Sequence, residues 1–118
     1  MTVQSIVDIL GARILNGDNM LDQEVFTACG SDMMSDVLAH VDDQAVLITG
    51  LCNPQVLRTA EMMDILCVIM VRGKKPDDTM IQIAKDLDIC FLATDLQMFT
   101  ACCLLYDAGL QGGGSFGK

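Results

Sequence analysis

Hydrophobic positions along this chain come in two rhythms, and the contrast between them predicts its architecture. The plainest stretch is Ile65-Leu66-Cys67-Val68-Ile69-Met70-Val71, seven apolar residues closed by the polar string Arg72-Gly73-Lys74-Lys75-Pro76. It is too short to cross a bilayer and lacks the alternation of a strand with one wet face. Its β-branched residues Ile65, Val68, Ile69 and Val71 favour a strand. A central strand of a parallel sheet, covered by helices on both faces, fits that pattern.

The other rhythm is helical. Val3, Ile6, Val7 and Leu10 share one face, with Thr2 placed as a cap and Gly11 as a stop. Short strands are predicted over residues 12–15 and 24–29, separated by the turn cluster Asn16-Gly17-Asp18-Asn19, and are expected to pair as an edge or small flap. Gly30-Ser31-Asp32 opens a helix whose Met34, Val37, Leu38 and Val41 face inward, ended by the polar turn Asp42-Asp43-Gln44. A strand over 45–49 leads through Gly50-Leu51-Cys52 to Asn53 as cap and Pro54 as first helical residue, with Val56, Leu57, Ala60 and Met63 inward. Beyond the basic loop, Asp77 or Asp78 starts a helix with Met80, Ile83, Ala84 and Leu87 inward, and a strand over 90–93 follows. Thr94-Asp95-Leu96-Gln97 reads as a capping box, and the last helix is expected to bury Leu96, Phe99, Cys103 and Tyr106 before Gly109 stops it. Strand and helix alternate from Ala45 onward, which implies right-handed crossovers. The predicted fold is a single three-layer α/β/α domain with a mainly parallel sheet over residues 1–110. Residues 111–118 are expected to form a flexible glycine-rich tail.

Composition narrows the chemistry. In 118 residues the chain is 52% apolar with no tryptophan, so its core is aliphatic, filled out by methionine and cysteine. The net charge of −9 opposes non-specific binding to nucleic acid or to an anionic membrane. No signal-like or membrane-spanning window is present, so a cytoplasmic location is expected. The six cysteines contain no C-x-x-C pair, and four lie in or beside apolar segments, so most read as reduced core residues.

Several strings resemble the DRTGG domain, and through it the N-terminal domain of bacterial HPr kinase/phosphorylase. They are Ile14-Leu15-Asn16-Gly17 with Leu21-Asp22-Gln23-Glu24-Val25, then Ser31-Asp32-Met33-Met34-Ser35-Asp36-Val37. Ile69-Met70-Val71-Arg72-Gly73-Lys74-Lys75-Pro76-Asp77 and Phe91-Leu92-Ala93-Thr94-Asp95-Leu96 follow, so the resemblance extends over nearly the whole chain to Gly109. The tract that gives the family its name is here Asp22-Gln23-Glu24-Val25-Phe26, which keeps the aspartate and lacks the paired glycines. A ligand contact that needs those glycines is therefore altered. The resemblance implies a non-catalytic regulatory or sensing domain, of a kind usually appended to enzymes or nucleotide-sensing modules. Stand-alone copies, some associated with iron hydrogenase maturation, also occur.

Open parallel sheets bind ligands beyond the carboxyl ends of their strands. The loops expected there carry Cys29, Ser31, Asp32, Thr49, Gly50, Cys52, Asn53, Arg72, Gly73, Lys74, Thr94 and Asp95. Helix starts near Ser31, Asn53 and Thr94 offer backbone N–H groups, and Arg72 and Lys74 offer charge, to a small anionic or phosphorylated ligand. The plainer reading is that the same residues cap helices and are solvated. Cys29 and Cys52 fall at this edge, which leaves a redox or iron–sulfur-associated accessory role as the alternative, acting through protein contacts. No third ligand accompanies them, so no metal or cofactor is expected. His40 is the only histidine and lies near a helix end without a nucleophile elbow, so catalysis is not expected. Gly112-Gly113-Gly114-Ser115-Phe116-Gly117-Lys118 matches G-x-x-x-x-G-K but follows a helix and ends the chain, so it is not a phosphate loop. Exposed sheet edges and abundant methionine point to a homodimer or a protein partner.

Overall fold

A computed structural model describes residues 1–40 and 45–112. The expected positions of Val41, of the turn at 42–44 and of the tail from 113 lie outside them. The elements in order are α1 (Val3–Leu10), β1 (Arg13–Asn16), β2 (Thr27–Gly30), α2 (Met34–His40), β3 (Ala45–Thr49) and α3 (Gln55–Met62). They continue with β4 (Cys67–Met70), α4 (Asp78–Asp86), β5 (Cys90–Ala93), α5 (Met98–Asp107) and β6 (Gln111–Gly112).

The described strands form one sheet in the order β1-β5-β4-β3-β2-β6. β2 through β5 are parallel to their neighbours, as is β6 to β2, while β1 runs antiparallel to β5. The predicted central strand is β4, flanked by β3 and β5, with every residue from Cys67 to Met70 buried. Side chains alternate between its two faces, and both faces are covered. On one side Leu47, Val68, Met70 and Phe91 pack against Met34 and Val37 of α2, Val56, Leu57 and Ala60 of α3, and Met80 and Ala84 of α4. On the other, Val46, Ile48, Cys67, Ile69 and Leu92 pack against Val3, Ile6 and Leu10 of α1 and Ala101 and Leu105 of α5. Each such aliphatic side chain contributes roughly 1.5–3 kcal/mol on full burial, which is why a strand without alternation is stable here. Cys67 and Cys90 are register partners on neighbouring strands and share that second core.

Local signals set the helix ends. Thr2 accepts from the Ser5 N–H at 3.2 Å and Gly11 takes the left-handed conformation at φ 59, as the sequence predicts. Asp77 caps α4 through the Met80 N–H at 2.9 Å. Asn53 accepts from the Gln55 N–H at 2.8 Å while Pro54 already has helical dihedrals, so Asn53 acts as the expected cap of α3.

Four expectations are corrected. β1 and β2 do not pair into a flap: β1 joins β5 and β2 joins β3, three strands apart. Gln111 and Gly112, placed in the tail, extend the sheet beside β2. The capping box fails because α5 starts at Met98 and Gln97 precedes it without a side-chain cap. Thr94 is buried at 1% exposure and donates instead to the Leu10 carbonyl at 2.8 Å. The last helix consequently turns a different face inward. Ala101 and Leu105 are buried, whereas Phe99 is 79% and Tyr106 69% exposed and Cys103 is also exposed.

Candidate anion seat at the carboxyl edge of the sheet

Each parallel strand ends in a loop at one edge, and three of those loops converge on a single carboxylate. Asp32, in the loop after β2, accepts at Oδ1 from the Gly50 backbone N–H at 2.7 Å and from the Thr49 hydroxyl at 3.1 Å. Its Oδ2 accepts from the Arg72 guanidinium at 3.0 Å. The pair is half open to solvent, with side-chain exposures of 45% for Asp32 and 38% for Arg72. The Gly50 N–H, followed by Arg72 and Thr49, holds the Asp32 carboxyl below the usual carboxylate range against a smaller opposing effect of burial.

Two backbone features make the convergence possible. Arg72 is a non-glycine residue at φ 64, and Gly73 follows at φ 67. Their N–H groups bind the Leu96 carbonyl at 2.8 Å and the Thr94 carbonyl at 3.1 Å, so the loop after β5 fixes this left-handed pair. The Arg72 guanidinium then lies across Gly50, in space that a Cβ there would occupy. Glycine directly after a strand thus permits close approach of another chain segment.

The other candidate residues divide clearly. Asp95 pairs with Arg13 at 3.2 Å and borders Gly73, forming a second, more exposed ion pair at the same edge. Thr94 is buried beneath it. Ser31 binds the Met33 N–H at 3.0 Å, Asn53 caps α3, and Lys74 is exposed. Asp32, Thr49 and Arg72 are therefore brought into direct contact, with Gly73, Thr94 and Asp95 beside them. Gly50, expected at this edge as a loop residue but not as a ligand contact, and Arg13, not expected there, both belong to the cluster. A glycine immediately after a strand was the available signal for the first, and nothing in the local sequence marked the second.

The cysteines occupy other surroundings. Cys52 is exposed, with its Sγ 3.9 Å from the Met80 sulfur. Cys29 is pushed up to about 11 by burial and by its neighbour Cys102. An apolar cavity of about 160 Å³ beside β2 is lined by Cys29, Gly30, Cys102, Leu105 and Leu110 among others, with no charged side chain in its wall. The degenerate tract at Asp22-Gln23-Glu24 lies at the opposite, amino end of β2. There Gln23 and Leu21 carbonyls accept from the Val3 and Gln4 N–H groups and Glu24 bridges to Thr2, so the tract anchors α1. Its missing glycines are remote from the cluster around Asp32.

Residues 5–108 match the DRTGG domain. The chain belongs to the DRTGG domain family. No curated protein matches the sequence. Among solved structures, the DRTGG chain is similar to the CBS and DRTGG domains of the regulatory region of Clostridium perfringens pyrophosphatase, described as complexed with the activator diadenosine tetraphosphate. The two share 19% identity with a TM-score of 0.75, over 94% of this chain and 50% of that one. The DRTGG chain thus spans half the length of that regulatory region, and the likeness establishes a common fold.

Proposed function

We propose that this DRTGG domain is a non-catalytic regulatory module that senses a small phosphorylated anion at the carboxyl edge of its sheet. The observation that carries the reading is the convergence of a backbone N–H, a hydroxyl and a guanidinium on one acceptor group at that edge. Such a donor set suits phosphoryl oxygens, and the edge is where open parallel sheets receive ligands. The nucleotide in the structural neighbour's complex supports a phosphorylated ligand class. In this reading Thr49, Gly50, Arg72 and Gly73 face the ligand, Asp32 marks the position their donors converge on, and Asp95 and Lys74 stand at the rim. Ser31, Asn53 and Thr94 hold the loops in place. The six free cysteines suit a reducing compartment such as the cytoplasm. A homodimer completes the proposal, supported by the large exposed side chains Phe99, Tyr106 and Met62.

A thermal-shift panel of nucleotides and phosphorylated metabolites tests it. A binding polyphosphate should raise the melting midpoint by several degrees at saturation, and Arg72→Gln should remove the rise. A flat response across the panel, or a rise that survives Arg72→Gln, rejects the reading.

A further inference from the structure

Asp32 satisfies the donors that an anionic ligand would need. Gly50 N–H, the Thr49 hydroxyl and the Arg72 guanidinium all point at its two oxygens, at 2.7, 3.1 and 3.0 Å. The three donors come from the last residue of β3 and the loops after β3 and β4, whereas the acceptor comes from the loop after β2. The donor side is held by its backbone. Thr49 is fully buried, and the left-handed pair Arg72 and Gly73 is fixed by N–H bonds to the Leu96 and Thr94 carbonyls respectively. Asp32 is nearly half exposed and lies between β2 and α2 in neither element, so its side chain has open solvent to swing into.

We propose that the Asp32 carboxylate occupies the seat of the ligand's phosphoryl group, which enters by displacing it from Gly50, Thr49 and Arg72. Asp32 is then the residue that sets which anions bind. A tethered carboxylate has a high effective concentration at its own seat, so a free monocarboxylate competes poorly. A phosphoryl group brings up to two negative charges and three acceptor oxygens, enough to satisfy all three donors at once. The displaced Asp32 carries the loop before α2 with it, which couples occupancy of the seat to the position of that loop. This inference rests on the function proposed above.

The test is isothermal titration of the full chain with ATP as probe, comparing the unmodified protein with Asp32→Ser, Asp32→Asn and Asp36→Asn. Removing the internal competitor should tighten ATP binding about fivefold in both Asp32 variants. Asp36 is exposed on the adjacent α2, and Asp36→Asn removes the same charge without touching the seat. It should stay within about twofold of the unmodified protein. Adding Arg72→Gln to Asp32→Ser should abolish binding. If the serine variant fails to fold, Asp32→Asn carries the comparison, because the neutral amide keeps the side-chain volume and loses the ion pair with Arg72. Arg72-dependent binding by the unmodified protein that weakens or stays equal in the Asp32 variants overturns the displacement and leaves the proposed function standing. An equal gain in Asp36→Asn overturns it as well, since bulk charge would then explain the effect. Absence of binding in every variant, with ATP and with tripolyphosphate, overturns both.

Discussion

Asp32 is held ionised mainly by the Gly50 N–H, with Arg72 and Thr49 adding to it, so its folded-state pKa lies below the ordinary value of 3.8. An acid lowered in this way contributes stability above its unfolded pKa and loses it as pH falls through the folded value. Its exposure limits the contribution to under about 1 kcal/mol. Urea unfolding of the unmodified protein and Asp32→Asn should therefore show the larger gap near about pH 6 and a smaller one near about pH 3. A gap that stays constant or widens in acid contradicts the hydrogen-bonded carboxylate described here. At the same scale, Gly50 explains why Arg72 can reach across to Asp32 at all.

At the scale of elements, α5 shows how a helix chooses its inner face. Met98 to Tyr106 carries no charge, and apolar residues surround the axis, so hydrophobic spacing gives the helix no preferred phase. Packing decides instead: small Ala101 and branched Leu105 fit against the sheet, and Phe99 and Tyr106 are left outside. Leu105→Ala should cost about 2–5 kcal/mol in denaturant unfolding. Phe99→Ala should change stability by no more than ~0.5 kcal/mol at protein concentrations dilute enough to keep the chain monomeric. Reversed magnitudes would mean the helix is rotated from the orientation described. The contrast also shows what was legible in the chain. β3, β4 and β5 could be read directly because buried parallel strands are continuous apolar runs bounded by polar caps and turns. Their order placed the candidate loops at one edge. The contact that organises that edge joins residues 40 positions apart, and no local periodicity records it. Thr94 shows the opposite failure, where a capping string serves a distant carbonyl rather than its own helix.

For the whole molecule, charge and apolar surface act against each other. A net charge of −9 makes copies of the chain repel, while α5 offers a charge-free stretch with large exposed side chains. The homodimer expected from these features predicts a mass of twice 12.8 kDa by size-exclusion chromatography with light scattering, more complete at higher salt as repulsion is screened. A strict monomer at all salt concentrations removes it.

The cysteines lie at successive depths: Cys52 and Cys103 at the surface, Cys29 and Cys102 partly covered, Cys67 and Cys90 side by side in the central sheet. Cys67 is pushed up by its hydrogen bond with Cys90 and by burial, which keeps it unreactive while the sheet is closed. Alkylation of the native protein should therefore proceed from the outside inward. The innermost pair faces the core beneath α1, so its rate measures how often that layer lifts from the sheet.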